Sequence, residues 1–289
     1  MANPCWTYGD AVAKETFLVL GASSFYGSNF ANLVEAKGGE AIRLSRPNWN
    51  LGDEIPDADY IVNFASRSLV EESWIDPQGW MMTNGVLTTA LIEDLTRKDF
   101  KKFIHVSTPE VYGHTKTVVK ETQKFNPSTP YAVSRATGDM MFMAYHRAKS
   151  LPCIITRTAN IYGLGQPDHR FIPLAFKTLR AKKKLFLHNQ GKTIRGFIHV
   201  KDACEATYLL CLKGVVGETY HIAPGGILTI EALAKMICAQ LGLRWQDWLG
   251  EAPDRVGKDQ AYILDSQKVM DLGWIDRITI KEGLAEYGC

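Results

Sequence analysis

The sequence predicts an α/β fold in which helices cover both faces of a parallel sheet. From residue 16 to residue 163, short and almost continuously apolar segments alternate with longer segments of helical period. Strands that are apolar along their whole length are buried on both faces, which is typical of parallel sheets with helical crossovers. The composition, 46% hydrophobic and 22% charged over 289 residues, is that of a globular protein able to bury one large core or two smaller ones.

The predicted elements of the main sheet follow in chain order. The strands are TFLVL, EAIRLS, ADYIVNFAS, KKFIHVST and PCIITRTANIYG, which begin at residues 16, 40, 58, 101 and 152. Helices are predicted after the first strand, through MTNGVLTTALIEDLTRK, and over residues 131–149. We therefore expect residues 17–163 to form one sheet domain, preceded by a leader over 1–16 that has no clear period.

Beyond Gly163 the pattern changes to short helices and brief strands, which predicts a smaller lobe over residues 164–289. Two apolar segments of this part, GFIHV and ETYHIA, have the character of strands. We expect the stretch that contains them, residues 197–224, to return to the main domain, so that the two domains are interleaved.

Charge, cysteine spacing and hydropathy exclude several classes of function. The formal charge is +2, and the basic run RAKKK at 180–184 has no aromatic residues to stack on bases, so we expect no nucleic-acid partner. The six cysteines form no CxxC pair and no Cys/His cluster, which predicts neither a disulfide framework nor a metal site. The apolar segments are of strand length and no signal sequence precedes them, so we expect no membrane association and a cytoplasmic protein.

The segment GASSFYG, residues 21–27, lies between the first predicted strand and the first predicted helix. A glycine-rich turn in that position brings the backbone close to a ligand and points the helix N-terminus at a pyrophosphate. Ser24 replaces the middle glycine of the motif with a small residue whose hydroxyl can bond a phosphate. The turn predicts a bound dinucleotide, and the alternative is an ordinary strand-to-helix turn. The residues assigned to the cofactor here are Gly21, Ser23, Ser24, Phe25, Tyr26 and Gly27.

The end of the second predicted strand indicates which dinucleotide is bound. An acidic residue there would bond the ribose 2′-hydroxyl of NAD, but the sequence has Ser45 and Arg46. A guanidinium suits a 2′-phosphate better than a hydroxyl. Arg46 therefore favours NADP over NAD, with a solvated arginine as the alternative.

Tyr131 and Arg135 lie four residues apart, directly after Pro130, where a helix can begin. The two side chains therefore share one helix face, with a permanent cation beside a phenol. A neighbouring positive charge favours the phenolate, which is a proton acceptor. The pair predicts a catalytic tyrosine, and the alternative is an ordinary helix surface.

Several motifs in order resemble the extended short-chain dehydrogenases that modify nucleotide sugars, and most closely the sugar-nucleotide 4,6-dehydratases. The motifs are GASSFYG, STPEVYG, PYAVSR, NIYG, TIRGFIHVKD and PDRVGKD. The resemblance covers the chain from about Phe17 to about Trp274. It implies a Rossmann-type doubly wound sheet with a substrate-binding lobe, a bound NAD or NADP, and a nucleotide-diphosphate sugar as substrate. It also implies a homodimer paired through two helices per subunit, for which MMFMAY after Gly138 supplies an apolar face.

The resemblance assigns roles to four residues. Tyr131 is the catalytic base, and Arg135 stands where the family has a lysine that binds the nicotinamide ribose. Thr108 matches the residue that hydrogen-bonds the sugar hydroxyl beside the tyrosine. The next two positions in dTDP-glucose dehydratases are an Asp that protonates the departing water and a Glu that takes the C5 proton. This chain has Pro109 and Glu110, and proline cannot donate a proton.

The resemblance also extends the two binding sites. Asn50 and Leu51 match positions that flank adenine. Phe64, Ala65, Ser66 and Ser68 match the loop beside the cofactor. Substrate-phosphate contacts are expected from Asn160, Arg195 and Arg255, because arginine binds phosphate oxygens bidentately.

Three functions are open from the sequence. A 4,6-dehydratase would oxidise C4 of the sugar, eliminate water and return the hydride. A C4 or C5 epimerase would use the same 4-keto intermediate without losing water, and Pro109 weighs in its favour. A dinucleotide-binding sensor would turn nothing over, which the departures at Ser24, Pro109 and Arg135 would permit. GDP-mannose dehydratases also lack the Asp, having Ser, so Pro109 does not exclude elimination.

Overall fold

A six-stranded parallel sheet forms the centre of the structure, a computed structural model that describes residues 15–115, 117–122, 124–253 and 263–288. The strands are β1 (Thr16–Leu20), β2 (Glu40–Leu44), β3 (Tyr60–Asn63), β4 (Lys102–Ser107), β5 (Val118–Val119), β6 (Cys153–Thr158), β7 (Asn160–Tyr162), β8 (Leu185–His188), β9 (Ile194–Arg195), β10 (Phe197–His199), β11 (Thr219–Ile222), β12 (Leu228–Thr229), β13 (Leu249–Ala252) and β14 (Ile263–Leu264). The central sheet has the order β2-β1-β3-β4-β6-β11. The predicted α/β fold is therefore confirmed.

Helices connect these strands. They are α1 (Phe25–Ala36), α2 (Val70–Ile75), α3 (Pro77–Met81), α4 (Leu87–Leu95), α5 (Pro130–Lys149), α6 (Phe171–Arg180), α7 (Val200–Lys213), α8 (Ile230–Gln240), α9 (Trp245–Trp248), α10 (Gln267–Met270) and α11 (Ile280–Ala285). A π-helical turn covers Met82–Val86, and 3₁₀ turns cover Pro109–Tyr112, Asn189–Gly191 and Glu286–Gly288. No helix in these described ranges combines the length and apolarity needed to cross a bilayer.

Alternating residues of β1 show how the sheet is buried. Phe17 and Val19 belong to the core on the α1 and α7 side, whereas Leu18 and Leu20 belong to the core on the α4 and α5 side. All four side chains are fully buried. A strand covered on both faces is usually apolar on both, and for this reason TFLVL shows no polar alternation.

Strands from the second part of the chain pair with strands from the first part, β14 with β5 among them. β11 pairs in parallel with β6 and so extends the central sheet, while β10 pairs with β7. A separate core lies between α6, α8, α11 and β8. Residues 1–14 of the predicted leader lie outside the described part of the chain. β1 begins at Thr16, the last residue of that predicted leader. The predicted division into domains at residue 163 stays a prediction.

Two predicted elements are wrong in detail. PCIITRTANIYG forms two strands, because Ala159 donates its N–H to Ile222 of β11 whereas Asn160 donates its N–H to Gly196, beside β10. The change of partner breaks the strand between these two residues. The helix predicted from Met82 to Lys98 begins with the π-helical turn and ends at Leu95.

Candidate functional site

The glycine turn joins β1 to α1 at the carboxyl edge of the sheet. From β1 the chain first adds β2 on one side and then β3 on the other, so the order of strands reverses between β1 and β3. Open α/β sheets bind ligands at such a switch point. Gly21 has φ +79°, and a Cβ there would lie 2.7 Å from the Ala65 nitrogen. A Cβ on Gly27 would lie 2.5 Å from the Gly21 carbonyl oxygen. Both positions therefore require glycine, and the tight turn leads directly into the N-terminus of α1, which favours an anion.

The serines of the turn have different environments. The Ser24 hydroxyl oxygen accepts a hydrogen bond of 3.1 Å from the Gly27 N–H and so caps α1. The proton of the same hydroxyl can still be donated to a phosphate. Ser23 is exposed, and Phe25 lies against Gly163.

The side chain of Tyr26 belongs to the core, in contrast to its predicted cofactor role. Its hydroxyl donates to the Ala203 carbonyl oxygen at 2.9 Å and lies 2.7 Å from the Thr207 hydroxyl, both on α7. The ring packs on Phe64. Only the backbone of Tyr26 is therefore available to a cofactor.

Ser45 and Arg46 directly follow the end of β2, beside the glycine turn. The Leu44 carbonyl oxygen accepts hydrogen bonds from the Gly21 and Ala22 N–H groups at 2.8 and 3.1 Å. The Ser45 carbonyl oxygen accepts from the Trp49 N–H. Arg46 is exposed, so its guanidinium is accessible to a ligand that lies in the turn.

The loop after β3 faces the same turn. Phe64 is buried against Tyr26 and Phe30, so its side chain is a core residue and only its backbone borders the turn. The Ala65 N–H is held by the Asn63 side chain at 2.9 Å. Ser66 is half-buried, and the exposed Ser68 accepts a hydrogen bond from Arg170 at 3.2 Å.

Asn50 and Leu51 lie in the connection between β2 and β3. Leu51 is buried in the core beside α4, while Asn50 is exposed and its N–H bonds the Asp53 carboxylate at 2.7 Å. The backbone of this turn and the Asn50 side chain are therefore the parts that a ligand could contact.

Tyr131, Thr108 and Glu110 converge at the end of β4. Thr108 caps the 3₁₀ turn that carries Glu110, and Tyr131 lies in the first turn of α5, which Thr129 caps. Burial raises the pKa of Tyr131, and the Glu110 charge acts in the same direction. The cation of Arg135, a hydrogen bond with Thr108 and the cation of Arg170 act in the opposite direction and lower this pKa. A buried phenol surrounded by two cations and a carboxylate has the surroundings of a proton-transfer site.

Arg135 is buried on the same face of α5 as Tyr131. Its Nη2 donates to the Val106 carbonyl oxygen of β4, while within the described residues its Nε has no hydrogen-bond partner. Burial lowers the pKa of the neighbouring His105 well below its usual range, with Arg135 and Arg157 adding to this effect. The arginine is therefore built into the site beside a neutral histidine.

Asn84 is a buried residue of the π-helical turn that the sequence analysis missed. Its Oδ1 accepts from the Arg67 N–H at 2.9 Å, and its Nδ2 donates to the Arg67 carbonyl oxygen and to the Ser134 hydroxyl, each at 3.0 Å. Ser134 in turn donates to the Tyr131 carbonyl oxygen. Asn84 thus ties the loop after β3 to the helix of Tyr131. An asparagine and a glycine inside an otherwise apolar helical segment were the signal for it.

Arg170 is the second residue that the sequence analysis did not assign. It precedes α6, and its side chain contacts Ser68 in the loop after β3. It therefore borders both the predicted cofactor loop and Tyr131. His169 beside it is exposed.

Two of the three predicted phosphate contacts lie close together. Asn160 donates its N–H to the Gly196 carbonyl oxygen at 3.1 Å, which places it beside the residue that follows Arg195. The Arg195 side chain is buried, and its Nη1 donates to the Ile194 carbonyl oxygen at 2.8 Å. Arg255 lies outside the described residues. The described part of the chain contains no group of three or more His, Cys, Asp or Glu residues able to hold a metal ion.

A family model described as the NAD dependent epimerase/dehydratase family matches residues 17–223. This chain belongs to that family. A dTDP-glucose 4,6-dehydratase of Streptomyces niveus is 35% identical over 261 residues, which cover 89% of this chain and 77% of the relative. The structure of DesIV, a dTDP-glucose 4,6-dehydratase from Streptomyces venezuelae with NAD and TYD bound, superposes with a TM-score of 0.88 at 29% identity and covers 94% of this chain and 95% of that one.

A third similar structure shows the fold shared by the family. RMD from Pseudomonas aeruginosa, complexed with NADPH, has a TM-score of 0.83 at 23% identity, covering 94% of this chain and 97% of its own. The family's dinucleotide fits the edge described above, because Gly21 and Gly27 permit the tight turn that brings the N-terminus of α1, a site that favours a pyrophosphate, to this edge.

Proposed function

We propose that this protein is a nucleotide-sugar 4,6-dehydratase that works through a 4-keto intermediate and acts in the cytoplasm. The observation that carries the proposal is the convergence of Tyr131, Thr108 and Glu110 at the end of β4, at the same edge of the sheet as the glycine turn and two strands from it. A nucleotide-diphosphate sugar whose C4 lies at Tyr131 has its C5 on the side of Glu110. The dehydratase relatives support the same assignment.

Tyr131 takes the proton of the C4 hydroxyl, while Thr108 holds that hydroxyl by a hydrogen bond. The buried phenol is a poor base by itself, because burial raises its pKa. The Arg135 and Arg170 cations offset part of this effect. When bound, the nicotinamide supplies the chemistry of accepting a hydride and returning it.

Glu110 takes the C5 proton, which the adjacent ketone makes acidic. Its carboxylate is half-buried in the 3₁₀ turn, and the hydroxyl of Thr108 caps that turn by accepting from the Glu110 N–H at 3.3 Å. The carboxylate is therefore held on a short structured element rather than on a free loop, which favours a fixed position beside the sugar.

Pro109 favours a second candidate, an epimerase that shares this site. The dehydratase needs a proton donor for the departing C6 hydroxyl, and Pro109 is buried at the position where the dTDP-glucose enzymes have Asp. If no other group protonates the hydroxyl, the C5 carbanion would be reprotonated on the opposite face, and return of the hydride to C4 would then give a C5 epimer. Hydride return to the other face at C4 gives a C4 epimer.

The proposed cofactor is NADP or NAD, with NADP favoured by Arg46. The exposed guanidinium beside the turn suits the 2′-phosphate of NADP. Denaturing the purified protein and identifying the released nucleotide by mass spectrometry tests this directly. Arg46→Ala is expected to weaken NADP binding by about tenfold and to leave NAD binding unchanged. Equal effects on both cofactors would remove the preference.

We further propose a homodimer formed through α5 and the π-helical turn. Met82 and Val86 of that turn and Val133 and Met140 of α5 are exposed apolar side chains, each at least 40% accessible. Of the segment MMFMAY, Met140 is the exposed large side chain, because Phe142 lies in the core and Met141, Met143 and Tyr145 pack partly against that core. Sedimentation velocity tests the proposal: Met140→Lys is expected to give a monomer.

The reaction is tested by incubating the protein in D₂O with UDP-, dTDP-, GDP- and CDP-sugars. Loss of water with uptake of one deuterium identifies a dehydratase. Uptake without loss identifies a C5 epimerase, and a changed chromatographic mobility at constant mass identifies a C4 epimerase. If every sugar is returned unaltered, the enzyme proposal fails and a dinucleotide sensor becomes the better description.

A further inference from the structure

Arg157 is a charged residue inside the central sheet that the proposed reaction does not use. It lies on β6 and is about 1% exposed. Its Nε and Nη2 donate to one carboxylate oxygen of Asp139 at 3.2 and 2.9 Å. A buried ion pair is costly to desolvate and is weak support for stability, so its presence calls for another explanation.

The remaining nitrogen of the same guanidinium, Nη1, contacts Tyr112. Arg157 Nη1 donates to the Tyr112 hydroxyl and, at 3.2 Å, to the Thr122 carbonyl oxygen. The guanidinium carbon also lies 4.6 Å from the centre of the Tyr112 ring. Arg157 therefore holds Tyr112 by both its hydroxyl and its ring.

His221 completes the connection from the outer strand β11. The Tyr112 hydroxyl lies 2.8 Å from His221 Nε2, and His221 Nδ1 lies 3.0 Å from the Asp265 carbonyl oxygen. A carbonyl only accepts, so Nδ1 carries the proton and Nε2 accepts from Tyr112. Burial, followed by the Arg157 charge, lowers the pKa of His221 to about 3, which keeps the ring neutral in this arrangement. The Tyr112 hydroxyl is thus fully used, as acceptor from Arg157 and donor to His221.

Tyr112 and Asp139, the two side chains that Arg157 bonds, lie on the two elements that carry the proposed acid-base groups. Tyr112 is in the 3₁₀ turn of Glu110, two residues further on. Asp139 is on α5, eight residues and so about two turns after Tyr131 on the same face of the helix. Both ends are buried, and the charges and hydrogen bonds leave the guanidinium little freedom.

We propose that Arg157 is a positioning residue that sets the spacing between Glu110 and Tyr131 by bonding Tyr112 on one catalytic element and Asp139 on the other. The inference rests on the proposed function, because it assigns Glu110 to the C5 proton and Tyr131 to the C4 hydroxyl. It also explains the retention of a buried ion pair by its geometry rather than by stability. Misplacement of a reacting group by about 1 Å can cost on the order of 100-fold in rate.

Tyr112→Phe removes the hydrogen bond between Arg157 and the 3₁₀ turn of Glu110 while changing little else. Phenylalanine keeps the ring under the guanidinium, and the Thr122 carbonyl oxygen still accepts from Arg157 Nη1. Tyr220→Phe is the matched control, because Tyr220 is equally buried and its hydroxyl accepts from the Val215 N–H, away from the site. Asp139→Asn keeps the side-chain shape but removes the ion pair between Arg157 and α5, and it serves as the second variant.

The measurements are kcat, KM and the isotope effect on kcat of a substrate deuterated at C5. For Tyr112→Phe we expect kcat to fall roughly 10- to 100-fold with KM within about twofold, and the C5 isotope effect to rise, because proton removal by Glu110 becomes rate-limiting. Tyr220→Phe should match the wild type in all three. A fall in kcat without a rise in the C5 isotope effect, or equal behaviour of the two variants, would overturn the proposal.

A crystal structure of Tyr112→Phe, or of Asp139→Asn if the first variant does not fold, separates this inference from the proposed function. The expected result is a shift of Glu110 relative to Tyr131 of about 1 Å or more. Unchanged spacing overturns the positioning role even if the wild type is an active dehydratase. If the wild type turns over no sugar nucleotide, the proposed function fails and the spacing in the crystal still decides the role of Arg157.

Discussion

Replacing Arg135 by methionine tests whether this arginine activates Tyr131. The two side chains are four residues apart on one helix face, where Cβ atoms are about 6 Å apart, and we take this value as the order of magnitude for the separation of charge and phenol. At an effective dielectric constant of about 20, a charge at that separation stabilises the phenolate by about 3 kcal/mol. The direction agrees with the structure, in which the Arg135 cation lowers the pKa of Tyr131.

The expected result is a shift of the pH profile. Catalysis needs the phenolate, so kcat/KM rises with pH until the pKa of Tyr131 is passed. In Arg135→Met that pKa is higher, so the rise should move to alkaline pH, and the loss of about 3 kcal/mol of phenolate stabilisation should lower kcat/KM roughly 100-fold at pH 7. Each unit of added alkalinity should restore about tenfold. The assay is initial-rate kinetics between pH 6 and pH 10 on the sugar nucleotide that the wild type accepts.

Two further variants make the test specific. Arg135→Lys keeps the charge, so the pH profile should stay close to that of the wild type. We expect its kcat to fall nevertheless, because a lysine at this position does not reproduce the planar fork that bonds the Val106 carbonyl oxygen. Arg147→Met removes a cation at the exposed end of the same helix and should change nothing. A methionine variant with the wild-type profile would refute the reasoning.

Three further predictions depend on single contacts. Gly27→Ala puts a Cβ 2.5 Å from the Gly21 carbonyl oxygen, so bound dinucleotide in the purified protein should fall roughly tenfold or more, whereas Gly226→Ala, where a Cβ meets nothing within 4 Å, should retain it. His221 has its pKa lowered to about 3 in the folded protein. Its contribution to stability is therefore complete above about pH 6.5 and declines towards pH 3. The difference in urea unfolding free energy between wild type and His221→Gln should shrink by about 2 kcal/mol from pH 7.5 to pH 5. A difference that stays constant over this range would contradict the prediction. Asn84→Ala should lower the unfolding free energy by about 2 kcal/mol and weaken dinucleotide binding measured by fluorescence titration, and unchanged binding would limit Asn84 to a structural role.

The parts of the site that the sequence could predict are the local ones. Gly21 and Gly27 are six residues apart, and their turn follows from strand, glycine and helix in sequence. Tyr131 follows from Pro130 and the helix that begins there. In each case the functional residues and their spacing lie within one short segment, so rules based on neighbouring residues are enough to predict them.

The parts that the sequence could not predict depend on contacts between distant segments. Arg170 meets Ser68 across 102 residues, and Arg157 meets Tyr112 across 45. Such contacts are set by the order of strands in the sheet, which no local pattern specifies. Tyr26 shows a different limit: the motif places its backbone correctly beside the turn but does not report that its side chain turns towards α7.

The three departures from the family pattern are each accommodated in the structure, and this argues against a decayed site. Ser24 caps α1 by accepting from the Gly27 N–H. Pro109 is the first residue of its 3₁₀ turn, where a missing N–H costs nothing, and its ring is buried. Arg135 is buried and bonded to β4. A site that had lost its function would have no reason to keep a buried arginine beside a buried tyrosine, since the charge is costly to desolvate and the phenol gives it no compensating ion pair. The arrangement is therefore better explained by an active site adapted to arginine than by a dinucleotide sensor.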